Sequence, residues 1–275
     1  MLTYEIHLQS RGAILNRFDG KAKAVVESAM DFKDHFSKHA SAYARARPNY
    51  PSSLFEYLAS LCGHRTLAWD CATGNGQAAL GLAPWFEKVI ATDASAEQLA
   101  QAAPDPRIEY RQAPAEHSPC TAQSCDLITV AQALHWFNIP AFFAEARRAL
   151  KKDGVLAVWS YELSRITPAV DAVVGRYYTE IVGPDWPPER KLVADGYRTL
   201  EFPFAEVPIP EFHMELNWTC AEYLDYLYSW SATQRYIKRA GRNPLELIYY
   251  DLKSAWGDNT RLVTWPINMR VGKID

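Results

Sequence analysis

From about Tyr50 to Tyr161 the chain alternates short, nearly continuous apolar runs with longer stretches in which apolar residues return every third or fourth position. The first such stretch, "YPSSLFEYLASLCG", predicts a helix. Leu54, Leu58 and Leu61 share a face, Ser52 or Ser53 caps the start, and Gly63 ends it. "LAWD" predicts a buried strand, and the Ala-rich run that follows predicts a helix. "KVIATD" is a second strand, ending on Asp93, and "SAEQLAQAA" opens a helix with a capping box from Ser95 to Gln98. "IEYRQA" gives a third strand and Leu127 to Ala131 a fourth. "PAFFAEARRALKKDG" reads as a helix with Pro140 in its first turn and Gly154 at its end, and "VLAVWSY" as a fifth strand. Strands that are apolar throughout, alternating with helices, predict a parallel sheet covered on both faces.

Past Tyr161 the rhythm changes. "PDWPPER" and "EVPIPEF" read as loops. A helix follows from Thr219 to about Arg239, with a Thr219–Glu222 capping box, and another from Pro244 to about Trp256. "WPINMRVGKI" closes the chain as a strand. No break in composition marks a second independent domain, so residues 161–256 read as a helical cap inserted into one. At the other end, residues 1–33 fit the rest poorly and read as a variable extension, with a weak helix at "AKAVVESAM". One domain is then expected over 34–275, with 34–51 as an N-terminal lid.

Composition narrows the class. The chain has 275 residues, 48% of them hydrophobic, and a formal net charge of −3. That balance does not favour nucleic acid as a partner. The five cysteines form no CxxC, and Cys120 and Cys125, though close, have no His cluster to complete a zinc set. They read as free thiols in a reducing cytoplasm. Cys71 adjoins a glycine-rich turn, but no base is visible to activate it. The start of the chain lacks the apolar core of a secretory signal. The longest apolar stretch, Leu127 to Ala144, is broken by Gln132, His135, Asn138 and Pro140, so no membrane span is expected.

The chemistry gathers at "LAWDCATGNGQAALGLA". Open parallel sheets bind ligands at the carboxyl ends of their strands. Here the first strand ends on Asp70 and runs into Gly74-Asn75-Gly76, which let backbone approach a ligand. Two ligand classes compete. A dinucleotide fits the G-x-G-x-x-A pattern of "GNGQAA", with Asp93 as a ribose acid. S-adenosylmethionine carries an ammonium and a sulfonium, which an acid at Asp70 favours and which a pyrophosphate would not share. "LAWDCATGNGQ" resembles the first motif of class I S-adenosylmethionine-dependent methyltransferases. "VIATDASAEQL", "IEYRQAPAEHSP" and "CDLITVAQALHWF" resemble the later motifs, in matching order and spacing from about Asp34 to Trp159. "DHFSKHASAYARARPNYP", "SWSATQRY" and "TWPINMRVGK" are further similar to the subgroup that contains trans-aconitate methyltransferases and related small-molecule enzymes.

The resemblance implies a Rossmann-like, doubly wound, mostly parallel seven-stranded sheet with an antiparallel C-terminal strand and a helical cap. It implies S-adenosylmethionine as cofactor, held by Tyr43, Asp70, Ala72, Gly74, Asn75, Gly76, Gln77, Asp93, Ala94, Ala115, Glu116, Ala131 and Gln132. Pro114 stands where many of these enzymes have an Asp, which leaves adenine to the Ala115 backbone and Glu116. Tyr43 would offer an aromatic face to the sulfonium. Trp136, Tyr161 and Arg47 are candidates for an acceptor pocket, and Arg45 is a second cation in the same segment. Methyl transfer from a sulfonium is an in-line displacement that proximity and orientation can drive. A carboxylate acceptor needs no base, whereas a phenol or amine would need one, with His135 the candidate. The expected partner is a small-molecule methyl acceptor. A nicotinamide-dependent oxidoreductase and a non-catalytic cofactor-binding protein are the alternatives.

Overall fold

Eight strands form one sheet in the order β3-β2-β1-β4-β5-β8-β6, with β7 paired to β8 beside that path. The computed structural model describes residues 48–274. The strands are β1 (Leu67–Cys71), β2 (Lys88–Asp93), β3 (Ile108–Gln112), β4 (Cys125–Ala131), β5 (Leu150–Tyr161), β6 (Ala205–Glu206), β7 (Phe212–Trp218) and β8 (Arg261–Lys273). Strands β1 to β5 run parallel. β8 is antiparallel to β5, with Tyr161 opposite Ile267 and Val155 opposite Lys273. This is the mixed α/β fold that the sequence predicts, with one strand more than seven. The added strand is β7. β8 begins six residues before its register with β5, and β7 pairs with β8 as well. The alternation of "FHMELNW", with Met214 and Trp218 buried, is the period-two signal of a half-covered strand.

Two apolar clusters account for why β1 and β4 are buried along their length. Trp69, Ile128, Val130, Phe142, Ala146, Leu156 and Val158 belong to one. Leu54, Leu58, Ala68, Ala79, Leu82, Val89, Leu127, Ala157 and Trp159 belong to the other. Successive strand residues enter different clusters, as alternation across a doubly covered sheet requires.

Several element ends differ from expectation. Helix α1 (Ser52–Ser60) is led in by Pro51 in an extended conformation, with no side-chain cap from either serine, and it stops at Ser60, short of Gly63. Helix α2 is Gln77–Leu82. In α3 (Ala96–Leu99) only half of the capping box forms: the Ser95 hydroxyl accepts from Gln98 N. Helix α4 (Ile139–Ala149) ends before Gly154, which lies inside β5. The Gln123 and Ser124 N–H groups donate to the carbonyls of Arg148 and Ala149, so a neighbouring loop, not a glycine, finishes this helix.

By compactness the chain divides into two units. The sheet unit comprises 48–171, 186–217 and 261 onward; the other comprises, among the described residues, 172–185 and 218–260. In the second unit the predicted long helices are broken. The Thr219–Glu222 capping box is complete and starts a helix over Cys220–Tyr228, and a second helix runs over Ser231–Ala240. The Thr233 hydroxyl donates to the Leu227 carbonyl at 2.8 Å, satisfying the interrupted end. Pro244–Leu247 forms a 3-10 turn ahead of the helix Tyr249–Trp256. Arg239 makes a bidentate pair with Asp185, at 2.8 and 2.7 Å.

Candidate active site

Strand β1 delivers the chain into a turn at Ala72-Thr73-Gly74-Asn75-Gly76. Thr73 N donates to the Thr92 carbonyl at 2.8 Å, and Gly76 N to the Thr73 carbonyl at 3.0 Å. Ala72, Gly74 and Gly76 all have positive φ, at 54°, 57° and 85°. Gly76 is the most constrained, because a Cβ there would run into the Tyr110 hydroxyl. At Gly74 the nearest atom to such a Cβ is Gln98 Oε1, 3.8 Å away. The turn thus brings backbone without side chains at Gly74 and Gly76 to the sheet's carboxyl edge.

Two carboxylates hold this turn. Asp70 is fully buried. It accepts the Thr73 hydroxyl at 2.5 Å and the Thr129 hydroxyl at 2.8 Å. Burial pushes its pKa up to about 6, against those two hydrogen bonds. Asp93, half-buried at the end of β2, accepts Gly74 N at 2.8 Å and Ser95 N at 2.9 Å. Each of its oxygens keeps a second lone pair for another donor.

Strand β4 lies beside β1 in register, Asp70 opposite Thr129. It ends on Ala131, and Gln132 follows with φ 58°. The Gln132 backbone N–H is taken by the Trp159 carbonyl. Its side-chain Nε2 is buried and has no hydrogen-bond partner among the described residues. A buried amide donor left open is costly. The short 3-10 turn Leu134–Trp136 comes next. His135 Nδ1 lies 3.0 Å from the Tyr197 hydroxyl. Burial, and after it the Arg190 guanidinium, push the His135 pKa down to about 4. Arg190 itself lies over the Trp186 ring, 5.0 Å from its centroid. Trp136 is 57% exposed.

Other predicted residues already have partners in the protein. Gln77 Nε2 donates to the Pro48 carbonyl and to Asn49 Oδ1, both at 2.8 Å, and so anchors the segment before α1. Glu116 accepts the Asn138 N–H at 2.9 Å, at the start of α4. The Ala94 carbonyl accepts from Gln112. Asn75 is exposed on the turn, Ala115 is buried, and Tyr161 is half-buried at the end of β5. Tyr43, Arg45 and Arg47 lie outside the described residues, as do residues 1–33 and most of the lid segment 34–51. The sequence reading did not find Thr73, Thr129, Tyr197 or Arg190. Thr73 was legible as a hydroxyl in the turn; the others reach the site only through the fold.

Residues 69–158, from β1 to β5, match the family described as a methyltransferase domain. A Dictyostelium discoideum protein that carries a methyltransferase name is 35% identical over 251 residues, 88% of this chain and 95% of the relative. The chain belongs to the methyltransferase-domain family. A solved Anaeromyxobacter dehalogenans structure, described as a type II methyltransferase, aligns with TM-score 0.78 and 44% identity over 82% of this chain and 97% of that one. A Saccharomyces cerevisiae protein named as an S-adenosylmethionine-dependent methyltransferase is 33% identical over 128 residues, 43% of this chain and 44% of the relative. This protein is therefore an S-adenosylmethionine-dependent methyltransferase, and neither an oxidoreductase nor a non-catalytic binder. The residues at the sheet's carboxyl edge fit that cofactor: room beside Gly74, a carboxylate with spare acceptor capacity at the end of β2, and an unmet amide at the end of β4. Among the described residues no cluster is built to hold a metal ion, and no helix is long and apolar enough to cross a membrane.

Proposed function

We propose that this methyltransferase esterifies a small carboxylic acid, as the resemblance to the trans-aconitate subgroup implies. The observation that carries the proposal is His135. With its pKa pushed down to about 4, its imidazole is neutral at pH 7 and a poor acceptor of a proton from a phenol or an ammonium. A carboxylate arrives ionised and needs no base. The Arg190 guanidinium beside His135 adds positive charge to that side of the turn. In this reading His135 orients the acceptor by hydrogen bonding, and Trp136 and Tyr161 wall the pocket; Arg47 is a further candidate there.

For the cofactor, we assign the ribose hydroxyls to Asp93 and the methionine end to Gln132 and the Gly74–Gly76 backbone. Ala72, Asn75, Ala94 and Ala131 line the same edge, and Ala115 with Glu116 serves the adenine. Asp70, fully enclosed, acts through its charge and through Thr73. Gln77 supports the site by fixing Pro48 and Asn49, and Tyr43 completes the sulfonium side. When bound, S-adenosylmethionine supplies an activated methyl group; the protein's part is to hold the acceptor in line and keep water out. Five free cysteines suit a reducing cytoplasm.

The test is a radiolabelled methyl-transfer screen with small carboxylic acids and with phenols and amines of matching size. Base-labile methyl esters from the acids are expected, with little from the others. Label on a phenol or an amine, and none on any acid, overturns the assignment.

A further inference from the structure

Tyr197 is fully buried in the apolar cluster that also holds Phe142, Phe143 and Phe204, where a bare ring would pack as well. Its backbone is held on both sides. The short helix Arg190–Ala194 runs on into Gly196 and Tyr197, both left-handed at φ 59° and 58°. Tyr197 N donates to the Leu192 carbonyl at 2.9 Å, and the Tyr197 carbonyl accepts from Arg270 Nη1 at 3.0 Å. Arg270 is itself fixed by a bidentate pair with Glu206, at 2.6 and 3.1 Å. A bulky residue at positive φ is uncommon and persists only where its surroundings enforce it. The enforced conformation sets the phenol oxygen 3.0 Å from His135 Nδ1.

Satisfying the buried phenol decides which atom gives the proton. The hydroxyl has one proton, and His135 Nδ1 is its only hydrogen-bond partner among the described residues. Burial raises the Tyr197 pKa, so the phenol keeps that proton at pH 7. Were the imidazole to donate from Nδ1, the phenol proton would be left without an acceptor in an enclosed place, which is costly. Tyr197 therefore donates and Nδ1 accepts. His135 is neutral at pH 7, because burial and then Arg190 push its pKa down to about 4, so its single N–H proton sits on Nε2. Nε2 lies on the far side of the ring from the Tyr197 bond and makes no hydrogen bond among the described residues.

We propose that Tyr197 is a positioning residue of the methyltransferase site: it fixes His135 in the Nε2–H tautomer, so that the imidazole meets the methyl acceptor as a hydrogen-bond donor. This rests on the reading of His135 as the residue that orients the acceptor. A donor at that place selects a substrate group that brings lone pairs and no proton, as a carboxylate does. An ammonium would set one N–H against another.

The test is nitrogen NMR of the full chain carrying isotope-labelled histidine, at pH 7, with His135→Gln assigning the His135 signals by their loss. Wild type is expected to show a proton on Nε2 and none on Nδ1, and Tyr197→Phe to show both tautomers in exchange. A proton on Nδ1 in wild type overturns the proposal, and so does a Tyr197→Phe spectrum identical to wild type. A scalar coupling from the phenol proton to Nδ1 tests the Tyr197 bond in wild type without any variant, and its absence counts against the proposal equally. Turnover gives a further readout. With the acid labelled best in the methyl-transfer screen, Tyr197→Phe should raise KM by about 2–10-fold, the worth of one neutral hydrogen bond, and leave kcat and S-adenosylhomocysteine affinity unchanged. An unchanged KM, or a cofactor affinity that falls with it, overturns the positioning role. Label on phenols or amines alone would overturn the carboxylic-acid reading and leave the tautomer standing; an Nδ1–H imidazole would do the reverse.

Discussion

One carboxylate, Asp93, joins the turn after β1 to the end of β2 through Gly74 N and Ser95 N, and each of its oxygens keeps a further lone pair. If these take ribose hydroxyls, Asp93→Ala should weaken S-adenosylhomocysteine binding by about 1–3 kcal/mol in calorimetry, and Asp93→Asn by less. An unchanged dissociation constant would leave Asp93 only its structural bonds. The two glycines of the turn differ in a way that can be measured. Gly76→Ala meets both a φ of 85° and the Tyr110 hydroxyl, whereas Gly74→Ala meets a φ of 57° with room for the methyl. Gly76→Ala should therefore lower Tm and binding together, and Gly74→Ala should lower Tm by clearly less. Equal losses in both would mean that backbone strain alone sets the cost.

Among the elements, β4 ties the sheet together at both ends. At its far end Thr129 reaches Asp70, and at its near end Asp126 accepts Thr66 N at 2.9 Å, Leu67 N at 3.0 Å and Lys151 Nζ at 2.7 Å. Asp126 is almost fully buried, and its loss takes the acceptor from two N–H groups at the start of β1 and from the partly exposed Lys151 ammonium. Asp126→Ala is expected to cost about 1–3 kcal/mol in urea denaturation, the range for leaving partly buried hydrogen-bonding groups without their acceptor. A loss under 1 kcal/mol would show that water replaces all three bonds. The apolar run of β4 was plain in the sequence, and so was its place before a helix. Its tie to β1 was not, because Thr66 and Asp126 are remote in the chain and meet only by strand register.

Across the whole molecule, Asp70 trades stability against charge at the site. The unfolded chain gives up this proton near 3.8 and the folded protein near 6. Between those values the folded state binds the proton that the unfolded state has released. Stability from this group is therefore full at low pH and falls as pH rises through about 6, by about 3 kcal/mol. Asp70→Asn should lack this slope, so its stability relative to wild type should improve from pH 4 to pH 7. Its binding of S-adenosylmethionine, a cation, should be weaker at pH 7 and show no rise as pH passes 6, whereas wild-type binding rises. Parallel stability curves for the two proteins would place the folded pKa at its ordinary value.

Periodicity along the chain determined the five parallel strands, the helices between them, the Gly74–Gly76 turn, Asp93 at the end of β2 and the closing strand. Each rests on short-range physics: which face of an element is buried, where φ must turn positive, which residue caps a helix. The Thr219–Glu222 box belongs here too. Tertiary structure decided the rest. Asp70 meets Thr129 59 positions away, and His135 meets Tyr197 62 positions away. Register and packing bring these pairs together, and nothing in local sequence marks either partner for the other. The same holds for Gln77 and Glu116, whose side chains look available in the sequence and are taken by Pro48, Asn49 and Asn138. The open amide of Gln132 is the converse case, since only a solvent-excluding fold can leave a glutamine without a partner.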